Sequence, residues 1–211
     1  MKTALVAGAS GLIGSFLVKL LLEEDQYAAV HILVRKEIDL KHNKLVQHVV
    51  DFDQLESLSL DFKTDDAFCT LGTTIAKAGS KEAFIRVDHN YVISFARKAL
   101  QAGATGLFVV SSMGANPHSS IFYNKVKGRM EEALKRLDCP RLVIFRPSLL
   151  LGPRAEKRFA EKFSGYVMVL FKKIIPLKYK AIHASKVAEK MVGMGLTEFT
   201  GIRILESDML Q

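Results

Sequence analysis

The chain has 211 residues, 49% of them hydrophobic, with 30 Lys and Arg against 22 Asp and Glu and a formal net charge of +8. That length suits one sizeable core and is short for two, so a single domain over residues 1–211 is expected. Cys69 and Cys139 offer neither a disulfide framework nor metal-ligand spacing, which excludes a cysteine-stapled or metal-built scaffold and fits a reducing cytoplasm; no stretch is apolar for the length of a bilayer span.

Residues 3–7 form a short apolar run, a first strand, that breaks into Gly8-Ala9-Ser10-Gly11-Leu12-Ile13-Gly14. Lys2 followed by apolar residues looks like a signal peptide only until the glycines and Lys19 interrupt the run, and strand-turn-helix accounts for it better. Glycine permits a tight bend and lets the main chain approach a pyrophosphate, while the amides that open the next helix present partial positive charge to the phosphates. Glycine-rich turns also occur for ordinary structural reasons, so position matters. This one precedes an amphipathic stretch, 12–24, whose Ile13, Leu17, Leu20 and Leu21 share a helical face.

A second strand, 29–34, ends at Arg35-Lys36, where a Rossmann unit places the residue that reads the adenosine ribose. An acid there favours NAD; a guanidinium offers a planar fork to a phosphate, so the expected cofactor is NADP(H), the alternative being a solvated strand end. Further strands are predicted at 45–50, 67–70, 107–111, 142–145 and 202–205, and further helices at 81–102, 123–137 and 185–193, with Gly103 as a C-terminal stop. The alternation implies an α/β doubly wound Rossmann fold, a parallel sheet of about seven strands with helices on both faces. Loops at the carboxyl ends of its strands form the ligand crevice. Asp51 and Phe52 are placed there beside the adenine, the alternative being a loop residue and core filler, and Leu71, Gly72 and Thr73 follow the fourth strand.

Tyr123 and Lys127 stand one helical turn apart on one face. A nearby cation stabilises phenolate, and a general acid works best with a pKa near the working pH. Ser112, closing the fifth strand, is placed to donate to a substrate oxygen. A Tyr four residues before a Lys is common by chance; here it follows paired serines and the glycine turn in the order that hydride transfer requires.

On these residues the sequence resembles the short-chain dehydrogenase/reductase family in its atypical or extended branch, over nearly the whole chain. Arg146-Pro147-Ser148-Leu149-Leu150-Leu151-Gly152-Pro153 is similar to the family's segment beside the nicotinamide, and Ala181-Ile182-His183-Ala184-Ser185-Lys186-Val187-Ala188 to a later helix start. Phe68-Cys-Thr-Leu-Gly-Thr-Thr74, Arg86-Val-Asp88 and Ser111-Ser-Met-Gly-Ala115 resemble the Tat-interacting-protein group of NADPH-binding oxidoreductases. The resemblance implies Ser112, Tyr123 and Lys127 as catalytic residues and Gly8, Ser10, Gly11, Leu12, Ile13 and Arg35 as cofactor contacts, with Gly14, Lys36 and Pro147 beside them. Asp88, His89, Asn90 and His183 read as structural or capping residues.

Residues 153–182 are the only stretch available for a small C-terminal substrate cap. Within it a basic segment, 154–180, carries Arg154, Lys157, Arg158, Lys162, Lys172, Lys173 and Lys178, with Phe159, Phe163, Tyr166, Val167 and Leu170 at helical spacing. As a cap it suits an acidic or phosphorylated small-molecule substrate; as an exposed face it suits a protein partner or membrane surface. No specific nucleic-acid contact is expected, and a homodimer through the long helices is ordinary for the family. The expected function is an NADP(H)-dependent carbonyl/alcohol oxidoreductase. The alternatives are an NADP(H)-binding regulatory or redox-sensing protein and, lower, a nucleotide-sugar epimerase or dehydratase, which usually needs a larger substrate domain.

Overall fold

The inner strands of the main sheet alternate their side chains between two helical layers, and this sorts the core. The computed structural model describes residues 1–152 and 180–211. The strands are β1 (Lys2–Ala7), β2 (Tyr27–Val34), β3 (Leu45–Val49), β4 (Asp66–Cys69), β5 (Gly106–Val110), β6 (Arg141–Arg146), β7 (Leu150–Leu151), β8 (Ile182–His183) and β9 (Gly201–Glu206). Seven form one sheet in the order β3-β2-β1-β4-β5-β6-β9, with every pairing parallel. The two-residue strands β7 and β8 pair separately, Leu150 with Ile182 and Leu151 with His183.

The helices are α1 (Leu12–Glu23), α2 (Ile75–Ala78), α3 (Lys81–Ile85), α4 (Tyr91–Gln101), α5 (Phe122–Lys135) and α6 (Ala184–Leu196). On one face Leu17, Val18 and Leu21 of α1 and Val187, Ala188 and Met191 of α6 pack with Val6, Ile32, Phe68, Phe108 and Phe145. On the other, Phe95, Ala96 and Ala99 of α4 and Met130 and Leu134 of α5 pack with Leu5, Leu33, Ala67, Leu107, Val109 and Ile144. Neighbouring residues such as Leu5 and Val6 thus serve opposite layers, as the period of two in a strand requires. The doubly wound Rossmann architecture expected from the sequence is present. The chain winds outward in both directions from β1 and β4, so their carboxyl ends open a crevice at the topological switch point.

The seven strands fall within one or two residues of their sequence-based positions, and Gly103 follows α4 with φ of +94°, the left-handed conformation expected of a helix stop. The helix expected over 81–102 is not uniform: α3 and α4 are separated by a π-helical turn, Arg86–Asn90. α6 runs past Gly193 to Leu196, because Met194 and Gly195 still face the core. Of the expected cap over 153–182, residues 153–179 lie outside the described residues, and with them all of the basic segment except Lys180.

Candidate functional site

The glycine turn is built by contacts that exclude side chains. Gly8 has φ of +88°, and a Cβ there would lie 2.6 Å from Thr70 Oγ1 and 2.8 Å from its carbonyl oxygen. A Cβ at Gly14 would overlap the Gly8 carbonyl oxygen. The Gly11 N–H donates to the Gly8 carbonyl at 2.8 Å, and the Thr70 hydroxyl donates to the carbonyls of Ala7 and Gly8, both at 3.1 Å. The turn is therefore pinned to the end of β4, with the first amides of α1, which lack intrahelical partners, opening beside it.

Over this turn lies a cavity of about 480 Å³ lined by Gly8, Ser10, Gly11, Leu33, Arg35, Phe52, Leu71, Gly72, Thr73, Lys77, Val87 and Tyr91, among others. Its glycine floor, an exposed guanidinium at one rim and apolar walls fit a dinucleotide in character. Eight of the expected cofactor residues line it. Leu12 instead packs under Gly152, where a Cβ would stand 2.5 Å from Leu12 Cδ1, and Ile13 is buried in the core, so neither side chain lines the cavity. Lys36 is exposed outside the lining. Asp51 stands beside Phe52 but outside the lining, and its Oδ1 accepts the Asp53 N–H at 2.9 Å, capping the 3-10 turn Phe52–Ser57.

Ser112 follows β5, the neighbour of β4. Its Oγ is buried and has no hydrogen-bond partner among the described residues. The loop that carries it is fixed on both sides. The Met113 N–H donates to the carbonyl of buried Pro147 at 3.0 Å, and the Ser111 hydroxyl donates to Glu131 at 2.5 Å. Glu131 in turn takes a bidentate pair from Arg146, at 3.0 and 2.6 Å, and Arg146 also reaches Glu206 at 2.8 Å. These carboxylates hold the Arg146 guanidinium above its ordinary pKa despite burial. α5 seats directly against the same loop: a Cβ at Gly128 would overlap the Asn116–Pro117 backbone, and the Asn116 N–H donates to the Asn124 carbonyl at 3.0 Å.

Helix α5 carries Tyr123, half-buried with its ring centroid 5.4 Å from that of Phe84, and Lys127, only 2% exposed. Lys127 Nζ lies 2.8 Å from Oδ1 of Asp88, which is fully buried. Burial alone would depress the ammonium, but Asp88, helped by Tyr123 and Cys69, outweighs it and holds Lys127 above the usual lysine range. Cys69 at the end of β4 is pushed up by burial to about 12, so its thiol is inert near neutrality.

Sequence reasoning missed Lys77, Val87 and Tyr91 in the cavity wall and the pairing of Asp88. Thr74 was the available signal for α2: its Oγ1 accepts the Lys77 N–H at 3.2 Å, an N-cap followed by a single helical turn. Asp88, expected to be structural or capping, pairs with Lys127 and accepts the Thr73 N–H. His183 does cap, accepting the Ser185 N–H at 3.3 Å.

Residues 8–165 match a family model described as NAD(P)H-binding. The chain is 37% identical over 172 residues to Protein HTATIP2 of Rattus norvegicus, covering 78% of this chain and 71% of that protein. It is 32% identical over 211 residues to "Protein FMP52, mitochondrial" of Eremothecium gossypii, covering 97% and 93%. In fold it is similar to an oxidoreductase of the short-chain dehydrogenase/reductase family from Burkholderia thailandensis, with a TM-score of 0.73, 19% identity and coverage of 99% and 92%. The expected cytoplasmic location is overturned by the fungal relatives: the protein of Debaryomyces hansenii is also named mitochondrial. The free thiols of Cys69 and Cys139 do not tell one compartment from another. No described helix is long and apolar enough to cross a membrane.

Proposed function

The chain belongs to the NAD(P)H-binding, atypical short-chain dehydrogenase/reductase family, and from that premise we propose that it is an NADP(H)-dependent oxidoreductase acting on a carbonyl or alcohol. The observation that carries this reading is the buried Ser112 hydroxyl. An unpaired buried polar group costs about 1–3 kcal/mol and calls for a partner, which a substrate oxygen supplies.

Bound nicotinamide supplies or accepts the hydride. Ser112 donates to the substrate oxygen and orients the carbon, Tyr123 passes the proton to or from that oxygen, and Lys127 favours the charged form of the phenol. Arg35, at the cavity rim, accepts the phosphate that distinguishes NADP from NAD. A small-molecule substrate of acidic character, gathered by the basic segment, and a mitochondrial location like that in the names of the fungal relatives complete the proposal.

The test is NADPH oxidation with a panel of aldehydes, ketones and quinones. Tyr123→Phe is expected to lose about 10²–10⁴-fold in turnover, the usual contribution of a positioned acid, with NADPH affinity little changed. Equal turnover in the variant sinks the mechanism. NADPH binding without turnover on any carbonyl would replace it with a cofactor-dependent regulatory protein.

A further inference from the structure

Two buried carboxylates have evident architectural work. Asp66, at the start of β4, takes Lys2 at 3.1 Å, the Tyr27 hydroxyl at 2.7 Å and Arg141, all at the sheet edge away from the crevice. Glu131 clamps β5 to α5 and β6 through Ser111 and Arg146. Asp88 differs because its two oxygens face two parts of the candidate site. Oδ1 meets Lys127 Nζ at 2.8 Å, and Oδ2 accepts the Thr73 N–H at 2.8 Å. Between these partners stands Gly72, where a Cβ would lie 3.5 Å from Asp88 Oδ1 and 3.9 Å from Lys127 Nζ.

The π-helical turn Arg86–Asn90 is what carries Asp88 inward: it is fully buried while Arg86 and Asn90 on either side are exposed. Such wide turns cost regular hydrogen bonding and concentrate at functional positions. Burying a carboxylate and an ammonium together is expensive, and a plain helix with an apolar residue at this position would stabilise the fold at least as well.

We propose that Asp88 is a positioning residue that holds the Lys127 ammonium at a fixed depth and ties it to the loop of Leu71, Gly72 and Thr73, so that seating a dinucleotide against that loop and placing the lysine are one event. The inference rests on the NADP(H) oxidoreductase reading. Among the described residues, three charged or titratable groups face Lys127: Asp88 from the π-helical turn, Tyr123 from its own helix and Cys69 from β4. Of these, Asp88 makes the direct ion pair, so its loss leaves burial to discharge the lysine.

The experiment follows the Lys127 side-chain nitrogen and the Thr73 amide by ¹⁵N NMR in the full chain, from about pH 6 to about pH 10.5, around the ordinary lysine value. NADPH is titrated alongside by calorimetry, with Lys127→Arg assigning the nitrogen. In the wild type the ammonium is expected to stay charged across the range, and both signals are expected to move together on NADPH addition. In Asp88→Asn the lysine should titrate lower by about one unit or more, and NADPH affinity should fall about tenfold at neutral pH and further as pH rises.

A merely structural Asp88 would lower the melting temperature and leave the pH dependence of NADPH affinity where it was; that result overturns the proposal. If Asp88→Asn does not fold, the wild-type spectra decide: a lysine that discharges at or below its ordinary value, or a Thr73 amide that does not move with it on NADPH addition, overturns the proposal. Failure of the wild type to bind NADPH or NADP⁺ defeats the oxidoreductase reading instead. Asp88 is then judged on the spectra alone: a lysine that stays charged in the wild type and titrates lower in Asp88→Asn keeps the proposal, and a lysine unmoved by the substitution overturns it.

Discussion

Replacing Arg35 with alanine separates the two nicotinamide cofactors. Arg35 is exposed at the end of β2 on the rim of the cavity, with no ion pair to any described residue. A hydrogen bond between charged partners contributes about 1.5–3 kcal/mol when sheltered, and solvent exposure reduces it. The expected loss in Arg35→Ala is therefore about 1–2 kcal/mol, or about 5–30-fold in NADPH affinity. NADH has no 2′-phosphate, so its affinity should change by less than about twofold. Calorimetric titration of cofactor-free protein with each nucleotide reads both numbers, and raising the salt should shrink the NADPH advantage of the wild type but not of the variant. Wild-type protein that prefers NADH, or a variant that keeps its NADPH affinity, would refute the assignment of Arg35 to the phosphate.

Gly14→Ala should destabilise the fold by about 3 kcal/mol and abolish nucleotide binding, because the new methyl would overlap the Gly8 carbonyl and meet Thr70 Oγ1 at 2.7 Å; thermal melts and titration check both. Gly193→Ala should do the opposite. Nothing lies within 4 Å of its Cβ position in the last turn of α6, so the helix gains up to about 1 kcal/mol, and a lower melting temperature would contradict the reading. His31, held to about 4 by burial and by His48, whose Nε2 lies 2.9 Å from its Nδ1, stays neutral in the folded chain while the unfolded chain takes up a proton below about pH 6.5. Stability should therefore be complete above that pH and fall as the pH drops towards about 4, by an amount on the order of 1 kcal/mol after allowing for solvent. Denaturant melts of His31→Phe should show that acid slope flattened; an unchanged slope would assign it elsewhere.

The sheet was legible because each strand is a short β-rich run closed by a turn residue, and because parallel strands buried on both faces need no register information to be recognised. The glycine turn was legible for a related reason: where the backbone itself does the work, glycine is the signature. What escaped was what a partner remote in sequence decides. Asp88 was read locally, as structural or capping, and the structure makes it the counter-ion of a lysine on another helix. Asp51, read towards the adenine, caps its own 3-10 turn through Asp53, two residues on. The π-helical turn left no trace in the hydrophobic pattern of 81–102, since one extra residue shifts the helical face without interrupting it.

That distinction bears on how the site works. Tyr123 and Lys127 are adjacent on one helix and would meet in any fold that kept α5 helical, so their spacing alone says little about catalysis. The specific information lies in what surrounds them: a serine hydroxyl with its hydrogen bond unspent, and a carboxylate that joins the lysine to the cofactor loop. An unpaired polar group and a buried ion pair each cost free energy in the empty protein. Both costs fall at the carboxyl edge of the sheet, where a bound dinucleotide and a substrate oxygen can repay them, and it is this coincidence rather than the Tyr-Lys spacing that supports the proposed site.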